Sequence, residues 1–198
     1  MEITASLIKE LREKTGVGMM LCKEALHETK GDFDLAVEYL RKKGIATAQK
    51  RSSRTTSEGQ IQAYIHGGGK IGVLLEVNCE TDFSGKSADF SNFVKDVAMH
   101  IAATNPISIS RGDISPSILE KEKEIYRGQA RESGKPEQII DKIVDGKVAK
   151  FYEENCLLEQ AFVKNTDITI QDLLNDLIAK TGENIVIKRF VRFQLGDA

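Results

Sequence analysis

The segment His66-Gly-Gly-Gly-Lys70-Ile-Gly72 is the first place to look for chemistry, because a glycine-rich loop ending in lysine can cradle phosphates. A phosphate loop also needs Ser or Thr after its lysine to hold magnesium, and a helix start whose free N–H groups meet the anion. Here Ile71 follows Lys70 and opens a strand-like run, so the segment reads as a hairpin turn. His27, His66 and His100 stand apart, with no second His, Cys or carboxylate at metal-ligand spacing. No Ser or Cys occupies a nucleophile-elbow context. A site assembled in space from distant residues, built on His66 or His100, stays open at this level.

Recognition is better represented than reaction. The run Ile71-Gly-Val-Leu-Leu-Glu-Val-Asn-Cys79 has the β-branched bias of a buried strand, and Glu80-Thr81-Asp82-Phe83-Ser84-Gly85 follows it as a polar loop carrying one aromatic ring. Phe83 either folds back onto its own core or is offered to a partner, and local packing is the commoner outcome for loop aromatics. In Thr15-Gly-Val-Gly-Met19-Met20, two adjacent methionines at a helix start point about 100° apart. A bundle this small has no room for both, so one is expected at the surface, where a flexible thioether suits a partner helix.

The elements that must carry these residues are clearly punctuated. Residues 1–45 read as three short helices: Thr4 or Ser6 caps the first and Gly16 stops it, the second runs from about Met19 to Thr29, and Asp32 opens a third that ends near Gly44. Residues 46–59 lose apolar periodicity and read as a linker. Residues 60–198 then form an α+β core. Ile61, Ala63 and Ile65 alternate in a strand paired with residues 71–79, and Phe90, Phe93, Val94, Val97 and Ile101 mark an amphipathic helix ending before Pro106. Pro116 opens a helical hairpin spanning about 116–155. Thr169 with Asp172 resembles a capping box for a further helix. A final strand places Ile185, Ile187, Val191, Phe193 and Leu195 on one face, giving an antiparallel sheet of at least three strands.

Composition limits the function classes. The 198 residues are 40% hydrophobic, enough for a core, and 28 basic against 30 acidic residues give a net charge of −2, so no basic field draws the chain to nucleic acid or an anionic membrane. Cys22, Cys79 and Cys156 are widely spaced and odd in number, which suits reduced thiols in a cytoplasmic protein better than a disulfide framework. The N-terminus lacks a signal-peptide pattern and no 18-residue apolar run exists.

In order and spacing, Leu11-Arg-Glu-Lys-Thr-Gly-Val-Gly-Met-Met20 with Cys22-Lys23, Glu76-Val-Asn-Cys-Glu-Thr-Asp-Phe83, Ala98-Met-His-Ile-Ala102, Ser133-Gly-Lys-Pro136, Gly182-Glu-Asn-Ile-Val186 and Arg192-Phe193 resemble the translation elongation factor Ts family over nearly the whole chain. The resemblance implies a guanine nucleotide exchange factor for elongation factor Tu that promotes release of GDP and magnesium, has no catalytic residues and needs no cofactor. It implies that residues 1–45 form a module similar to ubiquitin-associated domains, docking on Tu through Met19, Met20 and Lys23. It places Asp82 and Phe83, with Thr81 beside them, against Tu's magnesium and switch elements, and Ile71, Gly72, His100 and Val163 at other Tu contacts. For a short chain it implies a homodimer and a 2:2 complex, because about 26 Å of strand separates Ile71 from Cys79. Three positions depart from the family: Ser84 where Val is usual, Leu21 for Asp and Ala161 for Pro. The competing reading is a ubiquitin-like-binding or scaffold protein that uses the N-terminal bundle alone.

Overall fold

In the computed structural model, residues 3–197 are described. In chain order they form α1 (Ala5–Thr15), α2 (Met19–Glu28), α3 (Phe33–Arg51), β1 (Glu58–His66), β2 (Ile71–Cys79), α4 (Asp82–Gly85), α5 (Ala88–Thr104), α6 (Pro116–Glu132), α7 (Glu137–Asn155), β3 (Ala161–Phe162), β4 (Asn165–Thr169), α8 (Ile170–Thr181) and β5 (Ile185–Gln194). β1, β2 and β5 make an antiparallel sheet in the order β1-β2-β5, and β3 pairs with β4. The fold is α+β. Among the described residues no helix is long and apolar enough to cross a membrane.

The contacts divide these residues into two units, and β1, β2, α5 and β5 each contribute to both. The first unit holds the chain up to Gln62, Leu75–Lys95 and Asp172–Lys188. Its three N-terminal helices enclose Leu11, Val17, Cys22, Ala25, Leu26, Ala36 and Leu40, the helical repeat that the sequence displays. Thr4 Oγ1 accepts from the Leu7 N–H, Asp32 Oδ1 accepts from the Leu35 N–H at 2.9 Å, and Gly16 closes α1 in the left-handed region, so capping residues set the helix ends as expected.

Helix α3 differs from expectation. It does not stop at Gly44 but continues to Arg51, reducing the irregular connection to residues 52–57. Gly44 is a packing residue: a Cβ built there would lie 3.3 Å from the Ala179 Cβ of α8, so the missing side chain lets two helices approach closely. Arg41 in α3 and Asp172 in α8 form an ion pair at 2.8 Å beside this contact. Apolar periodicity fades after residue 45 because the half-buried residues of this last part of α3 are Thr47, Ala48 and Arg51, not large apolar side chains.

The second unit holds Ala63–Leu74, Asp96–Gln171 and the chain from Arg189. Its antiparallel hairpin α6–α7 packs Ala130, Ile140 and Val144 with Tyr126, Ile143 and Val148, and Arg131 pairs with Glu137 at 2.9 Å across the turn. The predicted single buried face of the last strand is not found. Ile185 and Ile187 are buried, but Val191, Phe193 and Leu195 are exposed. The alternation breaks at Lys188 and Arg189, both exposed; beyond them Phe190 and Arg192 are the half-buried residues and Val191 and Phe193 face the other way. On the inward side of this stretch the Arg192 guanidinium donates to the Ala102 carbonyl of α5 at 3.3 Å.

Candidate partner-binding surface

The segment after β2 is not an irregular loop but a one-turn helix, α4, and its cap explains why it forms. Thr81 is extended (φ −125°, ψ 151°) and its Oγ1 accepts from the Ser84 N–H at 3.3 Å, while the Gly85 N–H donates to the Thr81 carbonyl at 3.1 Å. A single turn has no cooperative stability of its own, so its base must be fixed from outside. Gln60 Nε2 donates to the Gly85 carbonyl at 2.6 Å and to Ser91 Oγ at 2.9 Å. A Cβ on Gly85 would lie 3.3 Å from Cys79 Sγ and 3.5 Å from the Gly59 Cα, so backbone and thiol close on the turn from below. Gly59 in turn has φ +142°, and a Cβ there would fall 2.1 Å from the Val77 carbonyl oxygen; no other residue fits.

On this fixed base Ser84 and Gly85 are buried and Phe83 is 88% exposed. The ring does not fold back onto its own core, which was the commoner outcome on residue type alone. Asp82 beside it is exposed and pairs with Lys86 Nζ at 2.6 Å; that hydrogen bond and the carboxylate's charge raise the Lys86 pKa. Cys79 Sγ donates to the Thr81 carbonyl at 3.2 Å, and burial first, then the charge of Glu183, pushes its pKa to about 11. It is a protonated structural thiol. Cys22 and Cys156 are likewise free and buried.

In the N-terminal helices, Met19 and Met20 are both exposed, Met20 at 78%, where only one was expected at the surface. Lys23 is exposed too, and its i+4 spacing from Met19 puts the two on one side of α2. The bundle core is filled by Leu11, Cys22, Ala25 and Leu26, which leaves neither methionine a place inside.

In the second unit the expected contact residues have different situations. Val163 is exposed in the turn joining β3 to β4, and Ile71 and Gly72 are half-buried at the start of β2. His100, expected at a Tu contact, is 0% exposed and part of the core. Its Nδ1 accepts from the Val163 N–H at 3.3 Å, which leaves the proton on Nε2 to donate to Gln160 Oε1 at 2.9 Å. Burial lowers its pKa, against an upward pull from the Gln160 hydrogen bond, so the ring is neutral. His100 holds the turn that carries Val163. Gln160, which sequence reasoning passed over, completes that support by also accepting from Thr104 Oγ1 and donating to the Glu154 carbonyl. No local sequence signal marks it, because His100 and Thr104 lie far from it along the chain.

Among the described residues no three His, Cys, Asp or Glu side chains converge in a metal-binding group. The first unit offers an exposed ring, two thioethers and an ammonium group, and the second an exposed valine, side chains suited to contact.

Comparison with known proteins is consistent with this geometry. A family model described as "Elongation factor TS" matches residues 34–197. The chain belongs to the elongation factor Ts family. It is 59% identical over 197 residues to Elongation factor Ts of Syntrophus aciditrophicus (strain SB), covering 100% of this chain and 98% of that protein. It is 60% identical to Elongation factor Ts of Syntrophobacter fumaroxidans (strain DSM 10017 / MPOB), with the same coverage. It is 61% identical over 196 residues to Elongation factor Ts of Desulfotalea psychrophila (strain LSv54 / DSM 12343), covering 99% of this chain and 100% of the relative. As a member of the elongation factor Ts family, the chain is a translation elongation factor.

One departure from the family pattern has a structural consequence. Ser84 is buried directly behind Phe83 and its Oγ has no hydrogen-bond partner among the described residues. An unpaired buried hydroxyl costs roughly 1–3 kcal/mol. Ser84→Ala is expected to raise the stability in urea unfolding by about 1 kcal/mol, with an unchanged denaturant slope. A lowered midpoint would show that the hydroxyl is satisfied.

Proposed function

We propose that this chain is a guanine nucleotide exchange factor for elongation factor Tu, acting in the cytoplasm by binding alone. The observation that carries the reading is Phe83, an aromatic ring left in water on a turn fixed from beneath. Inserted between side chains of Tu beside its magnesium and switch elements, the ring with Asp82 distorts the pocket that holds the phosphates of GDP. Met19, Met20 and Lys23 dock the N-terminal helices on the GTP-binding domain, and Ile71, Gly72 and Val163 supply further contacts. No bond is made or broken, so no nucleophile, general base or cofactor is required.

The energetics are adequate. Burying an exposed Phe side chain contributes about 1.5–3 kcal/mol, and each ~1.4 kcal/mol placed in the transition state for nucleotide departure raises the release rate about tenfold. The contact must be stronger with nucleotide-free Tu than with Tu·GDP, since a contact equal in both states shifts nothing. Coupling is then reciprocal: incoming nucleotide weakens the hold on the exchange factor by the factor that the exchange factor weakens the hold on nucleotide. A scaffold function of the N-terminal bundle alone gives Phe83 no task.

We further propose that two copies of this chain pair through the open side of the sheet. In the second unit Ile65, Leu74, Val191, Phe193 and Leu195 are all exposed, Phe193 at 69%, and an apolar sheet face of this kind is stable once a second copy covers it. Each Tu would then meet both copies in a 2:2 complex.

In stopped-flow release of labelled GDP from Tu, Phe83→Ala is expected to lower the stimulated rate about tenfold or more. An unchanged rate would overturn the exchange role of the ring. In sedimentation at micromolar concentration the chain is expected to be dimeric and Phe193→Glu monomeric; a wild-type monomer that remains fully active would contradict the pairing.

A further inference from the structure

We propose that Glu183 and Asn184, in the loop between α8 and β5, are positioning residues for Phe83 that tie the turn bearing the ring to the end of α3. The proposal deepens the exchange reading and rests on it for its functional consequence. All of the groups concerned lie in the first unit.

Glu183 controls the cap on which α4 depends. Its carboxylate accepts from both donors of Thr81, the backbone N–H at 3.0 Å on Oε2 and the hydroxyl at 2.5 Å on Oε1. A hydroxyl has one proton and two lone pairs. Because the proton of Thr81 is committed to Glu183, a lone pair of the same oxygen is held toward the Ser84 N–H, the bond that starts the turn. These are charge-assisted bonds, stronger than neutral ones. Removing the carboxylate frees the Thr81 rotor and leaves a four-residue helix with a weakened start, immediately before Phe83.

Asn184 extends the connection to the N-terminal helices. Only 3% exposed, it donates its backbone N–H to Glu80 Oε1 at 2.6 Å and its side-chain Nδ2 to the Arg54 carbonyl at 2.8 Å and the Ser52 carbonyl at 3.4 Å. Glu80 also faces the Arg54 guanidinium at 3.5 Å. One loop thus holds residues 80 and 81, where β2 gives way to the ring-bearing turn, and residues 52–54, where α3 ends. The loop itself is anchored by Thr181, whose hydroxyl accepts from the Glu183 N–H at 3.3 Å and donates to the Leu177 carbonyl at 2.9 Å. Helix α3 packs on α2, which carries Met19, Met20 and Lys23. The two surfaces assigned to Tu in this unit are therefore referred to one another through Glu183 and Asn184, giving the Gly182-Glu-Asn segment a mechanical task that its sequence does not reveal.

The test compares the whole protein with Glu183→Ala and Glu183→Gln, the second keeping the size and one acceptor oxygen. In the free protein, hydrogen exchange at the Ser84, Gly85 and Lys86 amides is expected to quicken about tenfold in Glu183→Ala, which loses both charge-assisted bonds to Thr81, and less in Glu183→Gln, which keeps an acceptor. In labelled-GDP release from Tu, the plateau rate at saturating exchange factor is expected to fall about tenfold for Ala and to be partly restored by Gln. A merely structural role would reduce the folded fraction, raising the concentration needed for half-saturation while leaving the plateau intact. Should Glu183→Ala fail to fold, Glu183→Gln carries both measurements with smaller shifts. Unchanged amide exchange would overturn the positioning role whether or not the protein releases GDP. Quickened amide exchange together with an unchanged plateau would overturn the link to Phe83's task. A wild-type protein that does not accelerate release would instead overturn the exchange reading and the functional half of this proposal with it.

Discussion

The constraint on which the structure turns is that a phenylalanine ring is kept in water. Leaving Phe83 exposed forgoes about 1.5–3 kcal/mol of burial, and a flexible segment would recover that by folding the ring onto the nearest apolar surface. Here the segment cannot yield. Thr81 caps the turn, Gln60 holds its last carbonyl, and Gly59, Cys79 and Gly85 are packed too closely to let the backbone slide. The close passage of Gly59 over Val77 is part of the same constraint, because it sets where β1 can supply Gln60. On the proposed exchange reading, rigidity at this point leaves the ring little ordering to undergo on docking.

The same logic of a hidden support beneath an exposed contact recurs at Val163. There the exposed side chain is small and the work is done by a buried polar group, the neutral His100 ring, bonded on one nitrogen to the Val163 amide and on the other to Gln160. At both places the exposed side chain is simple, and the hydrogen bonds lie underneath it. It also separates two kinds of residue that a motif does not. Phe83 and His100 both lie in segments that resemble the elongation factor Ts family, yet one is at the surface and the other has no access to it.

What was legible in the sequence was what local chemistry decides. Thr4, Asp32 and Gly16 specify helix ends through bonds made within a few residues, and the Gly67-Gly68-Gly69 turn and the apolar run of β2 specify the hairpin without reference to the rest of the chain. The failures arose where a distant partner decides. Gly44 has the appearance of a stop signal but serves as a close-approach site because Ala179 lies against it. Val191, Phe193 and Leu195 continue the apolar alternation of Ile185 and Ile187, yet the inward parity changes at Lys188 and Arg189, so that Arg192, bonded to Ala102, lies inward and they do not. Glu183 and Asn184 could be quoted as a motif but not explained, because their partners are Thr81, Glu80, Arg54 and Ser52. Surface exposure of Phe83 itself was undecidable from residue type, since the same polar neighbours suit a buried ring at a loop and a presented one.

The most direct measurement follows the ring itself. With a fluorinated phenylalanine at position 83, the fluorine resonance is expected to sit at a solvent-exposed position in the free protein, to shift and broaden on addition of nucleotide-free Tu, and to return when GDP is added in excess. A resonance that nucleotide-free Tu leaves in place would contradict the account, because the ring would then take no part in the complex it is held ready to form.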